Sequence, residues 1–547
     1  MVGVGAVICV PGKVSAVGDG TTVNKEPSRP DTAGSGRRVV PGPVPNFESW
    51  PEPAPVDAGQ VGRLVYEWAK KLEPNQAGVL WLAFIVVLVV GFDFRRPLSS
   101  HNADLVVLFL LGLLLIDLVE LAEFKLDQPG NRWRFQTTFL GIFLVSIGLM
   151  VRSLAGTFLR ERPPWTPSLP QRPLVWIAVV LFAGNAVLAL GRAPDDAGYY
   201  TNLGAKRFLE TGHLPYGDPM LRGGASATYG PLLYLAHVPF QLVLSIAIPN
   251  ARADQEGGNL QVGEAALRRY VPPPALATKL TLLMFHLAGV VALVLIGQRL
   301  AGPEVGWALA CLYLGSSYVQ GLGGERLFIT GMTFISHIAP TAITLLAFAA
   351  LERPFLSGSL LAAAAGALFY PAFYLPAWFG YLFWRNKRSA GRFLAGFLVV
   401  LLLVVGFVWL RTEASGQQSV LQVAYESTVG HQEAKDGYGA STFGFWGTHP
   451  RMAAFWQRPL VPNSYLLKPA FIAFAVLVGA SFFLARGRTL SQLALLTAAV
   501  AIAIQLWKSH AGGTYVEWYY PFLLVGLFAR PMGKQERGTH TELGGDG

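Results

Sequence analysis

Charge is the first thing this chain is short of. Asp, Glu, Lys and Arg together make up 14% of its 547 residues, where an ordinary soluble domain carries about 25%. Cysteine is nearly absent as well. Cys9 lies in the opening tail and Cys311 within an apolar run, which excludes a disulfide framework and a cysteine metal site. No basic patch is interleaved with exposed aromatics, so nucleic acid is set aside although the formal net charge is +10. No basic residue precedes the short apolar start MVGVGAVICV, which argues for a retained tail rather than a cleaved signal peptide.

What is there is apolar. Hydrophobic residues make up 52% of the chain, and they recur in runs near the roughly 20 residues that a bilayer requires. The fold class this predicts is an all-α polytopic membrane protein in contact with the lipid bilayer. Residues 1–76, rich in Gly, Pro, Ser and Val and closing on PGPVPNFESWPEPAP, read as a disordered tail. Spans are expected near 78–94, 103–121, 136–152, 172–190, 276–299, 304–322, 330–351, 355–384, 392–410, 466–485, 490–508 and 514–530. That gives about 13 crossings if 355–384, broken by Pro371 and Pro376, is two. The run 230–248 is long enough to cross, yet it holds His237 and Pro239 and can equally lie in the interface.

Lys and Arg gather in the connectors. Arg152, Arg160, Arg162 and Arg172, the stretch RNKRSAGR at 385–392, ARGR at 485–488 and the tail beginning at Arg530 are basic, and the positive-inside rule puts them in the cytoplasm. The long segments 192–275 and 411–466 then share the opposite, outer face. The organisation expected is a three-helix membrane module at 77–155, a transmembrane core at 172–530 and a cytoplasmic tail at 531–547.

Between two apolar runs lies a polar island, Pro194 to Tyr234. Asp195 and Asp196 stand where the chain leaves one span, followed by Tyr199 and Tyr200, a helical run to Gly212, GHLPYGDP and ATYGPLLY. A helix N-cap and a belt of interfacial tyrosines explain these residues structurally. Their order carries more. D-D-x-x-Y, a helix, G-x-x-P-Y, a polar gap and Y-x-P-L-x-Y resembles the first outer loop of membrane glycosyltransferases of the GT-C fold. The closest pattern is that of bacterial polyprenol-phosphate-mannose-dependent mannosyltransferases and their uncharacterised relatives. The likeness covers Pro194 to Tyr234 well, and more loosely 276–384 and the ending HAGGTYVEWYYPFLL.

The resemblance implies a GT-C-like core with interfacial helices in its first large outer loop. It implies an inverting hexosyltransferase, with mannose the sugar of the closest members, in the bacterial inner (plasma) membrane with its active site extracytoplasmic. The donor would be a polyprenyl-phosphate sugar and the acceptor a hydroxyl on a glycan, glycolipid or protein. Asp195 falls on the position of the general base, with Asp196 the near alternative. Two departures stand out: Gly230 replaces the first Pro of the family's Pro-Pro pair, and GALFYPAFYLP lacks the family's basic residue.

A polyprenyl phosphate is already a good leaving group, so such a transfer needs one base and stabilisation of the departing phosphate, with no obligatory acid and no cofactor. Candidate donor-phosphate and substrate contacts are Tyr199, Tyr216, Arg222, Tyr229, Glu325, Arg326, His337, Lys508, His510 and Tyr515. Glu325 with Arg326 can equally be an isolated ion pair, and His337 can simply hydrogen-bond a neighbouring helix. The loop residues His431, Glu433, Asp436 and His449 fit no strong metal template such as HExxH, so no metal site is assigned. The competing class is a polytopic transporter or lipid flippase, which should show related halves and helices broken around charged residues at the midplane.

Overall fold

The computed structural model describes residues 76–124, 131–159, 165–191, 194, 196–216, 229–247, 274–323, 328–331, 333–413, 419–420, 422, 445, 463–507 and 513–529. The expected disordered tail, most of the second long loop and the C-terminal tail lie outside these residues. The described part belongs to one compact unit, Pro45–Gly547.

The described residues are helical apart from one small ladder. The chain opens with α1 (Gln76–Val86), a π-turn (Val87–Gly91), α2 (Ser100–Phe124), α3 (Asn131–Phe158) and α4 (Gln171–Gly191). The polar island holds α5 (Asp196–Thr211), α6 (Pro231–Leu235) and α7 (Val238–Ala247). Then come α8 (Pro274–Ala301), α9 (Pro303–Leu314), α10 (Ser317–Gln320) and a ladder of β1 (Leu322–Gly323) with β2 (Phe328–Thr330). The core continues with α11 (Ile335–Ala349), α12 (Pro354–Ala367), a 3-10 turn (Tyr370–Tyr374), α13 (Leu375–Arg385) and α14 (Lys387–Arg411). It closes with α15 (Asn463–Leu484), α16 (Leu490–Trp507), a second 3-10 turn (Val516–Trp518) and α17 (Tyr520–Phe528).

Among the described residues, five helices are long and apolar enough to cross a membrane: α3, α4, α8, α14 and α16. Several expected spans are shorter or interrupted, each for a local reason. The run 304–322 stops as helix at Leu314, because the chain turns through Ser316, which caps α10, and then pairs β1 with β2 antiparallel. The run 355–384 divides where Leu368 becomes extended (φ −150°, ψ 141°), three residues ahead of Pro371, since a proline has no N–H to give to the carbonyl four residues before it and its ring clashes with that carbonyl. The run 514–530 yields only the nine residues of α17. The run 230–248 breaks at Ala236–His237 into α6 and α7, neither of which is long enough to span.

α2 has the length to cross but carries Asp104, Asp117, Glu120 and Glu123. Two of these acids are neutralised by α3. Arg152 grips Asp104 with two hydrogen bonds, Nε to Oδ1 at 2.8 Å and Nη2 to Oδ2 at 2.6 Å. Asp117 pairs with Arg134 and accepts from Thr138 Oγ1 at 2.6 Å. α3 in turn packs along α16, so the three leading helices share a core with the rest.

The bundle has two ends, joined by the 28 residues of α8, about 42 Å at 1.5 Å per residue. At one end Arg299 Nη1 donates to Ala349 O at 2.6 Å, Arg385 Nη2 donates to Arg488 O at 2.8 Å, and the Arg488 guanidinium lies 4.6 Å from the centre of the Phe158 ring. At the other end Lys279 Nζ donates to Leu190 O at 2.6 Å, and the Leu214 N–H donates to Arg411 O at 2.6 Å. The polar island and the end of α14 therefore meet at the end opposite the arginines.

Candidate functional site

α5 begins with Asp196, the second residue of the acidic pair. Its sequence DAGYYTNLGAKRFLET places Ala197, Thr201 and Ala205 at intervals of four on one buried face, with Asn202 beside them. That face is pinned at three points. Thr201 Oγ1 lies 2.9 Å from His237 Nε2, Gln241 Nε2 donates to Asn202 Oδ1 at 2.5 Å, and Thr278 Oγ1 donates to Gly198 O at 3.3 Å. The first turn of α5 is thus fastened to the start of α8, and its middle to α6 and α7. Asp196 is the first residue of this helix. Asp195, Arg222, Glu325, Arg326, Lys508 and His510 lie outside the described residues, as do the side chains of Asp196 and Tyr199.

The two tyrosines expected after α5 are placed, and they brace the segment. Tyr216 is buried, its hydroxyl donates to Tyr229 O at 2.7 Å, and its ring meets that of Tyr234 edge-on at 5.8 Å. Burial pushes both the Tyr216 and Tyr234 phenols well above their ordinary range. Tyr216 is therefore committed within the protein rather than presented to a ligand. Tyr229 is half-buried and packs against the apolar cluster that holds Leu233, Ile335 and Ile338 and against the one that holds Leu214, Tyr216 and Tyr234. His237, whose presence let the run 230–248 be read as interfacial, is completely buried, and burial pushes its imidazole down to about 3.

Gly230 explains one departure from the family pattern. It precedes α6 with φ −68° and ψ 152°, and its N–H donates to Ala367 O at 3.2 Å. A Cβ at this position would lie 2.1 Å from Gly366 O. The helix still begins at Pro231, and the glycine serves its approach to the open end of α12.

His337 and Tyr515 are brought together. Their ring centres are 4.1 Å apart, with Phe334 at 5.5 Å and Trp518 at 5.6 Å from the imidazole. α11 carries His337 on its first turn and packs against α5 on one side and the Val516–Trp518 turn on the other. Of the expected site residues, His337 thus lies on α11 itself, Asp196 heads a helix that adjoins it, and Tyr515 immediately precedes the turn that packs against it.

Two ionisable groups stand outside the expected set. Lys279, half-buried near the start of α8, donates to the carbonyl of Leu190 near the end of α4. Glu517 is completely buried, with Oε1 accepting from the Gly331 N–H at 2.8 Å and Oε2 without a hydrogen-bond partner among the described residues. The signal for both was a charge inside an apolar run, which marks a functional candidate by default. Among the described residues no group of three or more His, Cys, Asp or Glu side chains gathers as a metal site would need. No family model, curated protein or solved structure matches this chain.

Proposed function

We propose that this membrane protein is an inverting glycosyltransferase that moves a sugar from a polyprenyl-phosphate carrier to an acceptor hydroxyl at the extracytoplasmic face. The observation that carries the reading is the mounting of α5. A helix headed by an acid is fixed by Gly198 O and Thr201 to the neighbouring elements at the end of the bundle away from Arg299, Arg385 and Arg488. By the positive-inside rule the arginine end is cytoplasmic, which leaves the acid outside. Beside it lie α6 and α7, an apolar segment too short to cross and suited to the interface where a carrier headgroup sits.

In this reading Asp195, or Asp196 in its place, accepts the proton of the attacking hydroxyl. The anomeric carbon–oxygen bond to the phosphate breaks as the new glycosidic bond forms, and the carrier phosphate leaves as an anion. His337 and Tyr515 belong to the substrate wall, and Lys279 adds a cation beside the acidic bend. The test is transfer in proteoliposomes supplied with labelled polyprenyl-phosphate mannose and a membrane lipid extract as acceptor. Label moving out of the donor into an acceptor fraction supports the proposal, and donor recovered intact under all conditions counts against it.

One observation favours a second reading, transport. The helix breaks at 314–317 and 367–375 and the start of α11 adjoin the turn that carries the buried Glu517, and broken helices around an interior charge are typical of transporters. Flipping of labelled polyprenyl phosphate across the same proteoliposomes without sugar transfer would select it.

A further inference from the structure

We infer that Glu517 is a positioning residue for His337, gripping the leading end of α11 on both sides of that histidine; the inference rests on the glycosyltransferase reading above. Glu517 Oε1 accepts from the Gly331 N–H at 2.8 Å, four residues ahead of α11. Its backbone oxygen accepts from Thr341 Oγ1 at 3.5 Å, on the far side of His337, and Thr341 Oγ1 is itself 2.7 Å from the Tyr370 hydroxyl. The next residue, Trp518, stacks on Tyr370 with ring centres 4.0 Å apart and planes within 9°. One three-residue turn therefore clamps the segment 331–341 above and below the histidine and supplies the aromatic ring of Trp518 that faces it.

The side-chain contact is the specific part of this clamp. Gly331 has φ +143° and is buried, so its N–H needs an acceptor within the protein, and among the described residues that acceptor is the Glu517 side chain. Losing that acceptor leaves a buried donor unsatisfied, which is more costly than the hydrogen bond itself is stabilising. One carboxyl oxygen makes the link, and Oε2 contributes no further hydrogen bond. An amide oxygen at the same reach can therefore replace it, whereas a side chain one methylene shorter cannot.

This distinction gives the experiment. Glu517→Gln, Glu517→Asn and His337→Ala are compared in nanodiscs by two readouts: carbethoxylation of His337 by diethylpyrocarbonate, followed by peptide mass spectrometry, and binding of polyprenyl phosphate. Positioning predicts that E517N raises the modification rate of His337 and weakens binding about tenfold, while E517Q stays near the parent in both. It also predicts that E517N with H337A binds no more weakly than H337A alone. Unchanged His337 reactivity in E517N overturns the inference, and so do equal losses in E517N and E517Q, which would mean that the charge itself acts. If E517N does not fold, E517Q decides: an exposed His337 or weakened binding in that variant overturns the inference, and parent behaviour supports it. Exposed His337 in E517N with no polyprenyl phosphate binding by the parent protein would sink the transferase reading and leave the positioning role standing.

Discussion

The N–H of Gly230 closes the end of α12 by donating to Ala367 O at 3.2 Å, so the backbone of the polar island comes directly against that of α12. No side chain fits there. A Cβ at residue 230 would press on the backbone oxygens of Gly366 and Ala367, at 2.1 and 2.8 Å, which cannot swing aside as a flexible side chain would.

Gly230→Ala should therefore destabilise the protein by about 1–3 kcal/mol, the usual range for overpacking. Gly230→Pro, which restores the residue of the family pattern, should cost more because it also removes the donor. Thermal unfolding in detergent, followed by the fluorescence of buried tryptophans, measures both. A proline variant as stable as the parent would show that this docking is not as described.

The pair Asp104–Arg152 is a second structural commitment. It is bidentate and mostly removed from solvent, with side-chain exposures of 11% and 21%. Removing one partner from such a pair leaves a buried charge alone and costs about 3–5 kcal/mol. Asp104→Ala should lower stability by that order, while replacing both with Leu and Met should recover much of it. If Asp104→Ala and the double variant behave alike, the pair is not buried as found.

His237 makes the fold sensitive to acid. Burial holds its imidazole neutral, down to about 3 against an ordinary 6.5, with Nε2 beside Thr201 Oγ1 at 2.9 Å. Between those values the unfolded chain takes up a proton that the folded protein refuses. Stability from this residue is therefore complete above about pH 6.5 and declines as the pH falls from there toward 3. His237→Gln, which cannot be protonated, should show a smaller drop in melting temperature between pH 7.5 and pH 5 than the parent. An equal drop in both would assign the acid sensitivity elsewhere.

Apolar run length and proline placement made most of the helix positions legible, because both act within the segment that contains them. Pro371 and Pro376 marked 355–384 as a run that could divide, and His237 and Pro239 marked 230–248 as one that could lie in the interface. The missed features depend on partners remote in sequence. Nothing local to Leu322–Thr330 announces a ladder inside a hydrophobic stretch, and nothing near Glu517 names Gly331, 186 residues away, as its partner. Tyr216 read as a ligand contact because aromatics at a membrane boundary suit one. Its hydroxyl instead goes to Tyr229 O, a choice made by the path of the chain between them. Likewise nothing near Asp104 and Asp117 names Arg152 and Arg134 on α3 as their partners.

The most direct test of the central claim is sugar transfer from polyprenyl-phosphate mannose by proteoliposomes carrying Asp195→Asn or Asp196→Asn. The account predicts that one of the two variants folds with the parent's melting temperature and loses at least about 100-fold in turnover, the contribution of a general base. Full turnover in both variants, with protein correctly inserted, would contradict it.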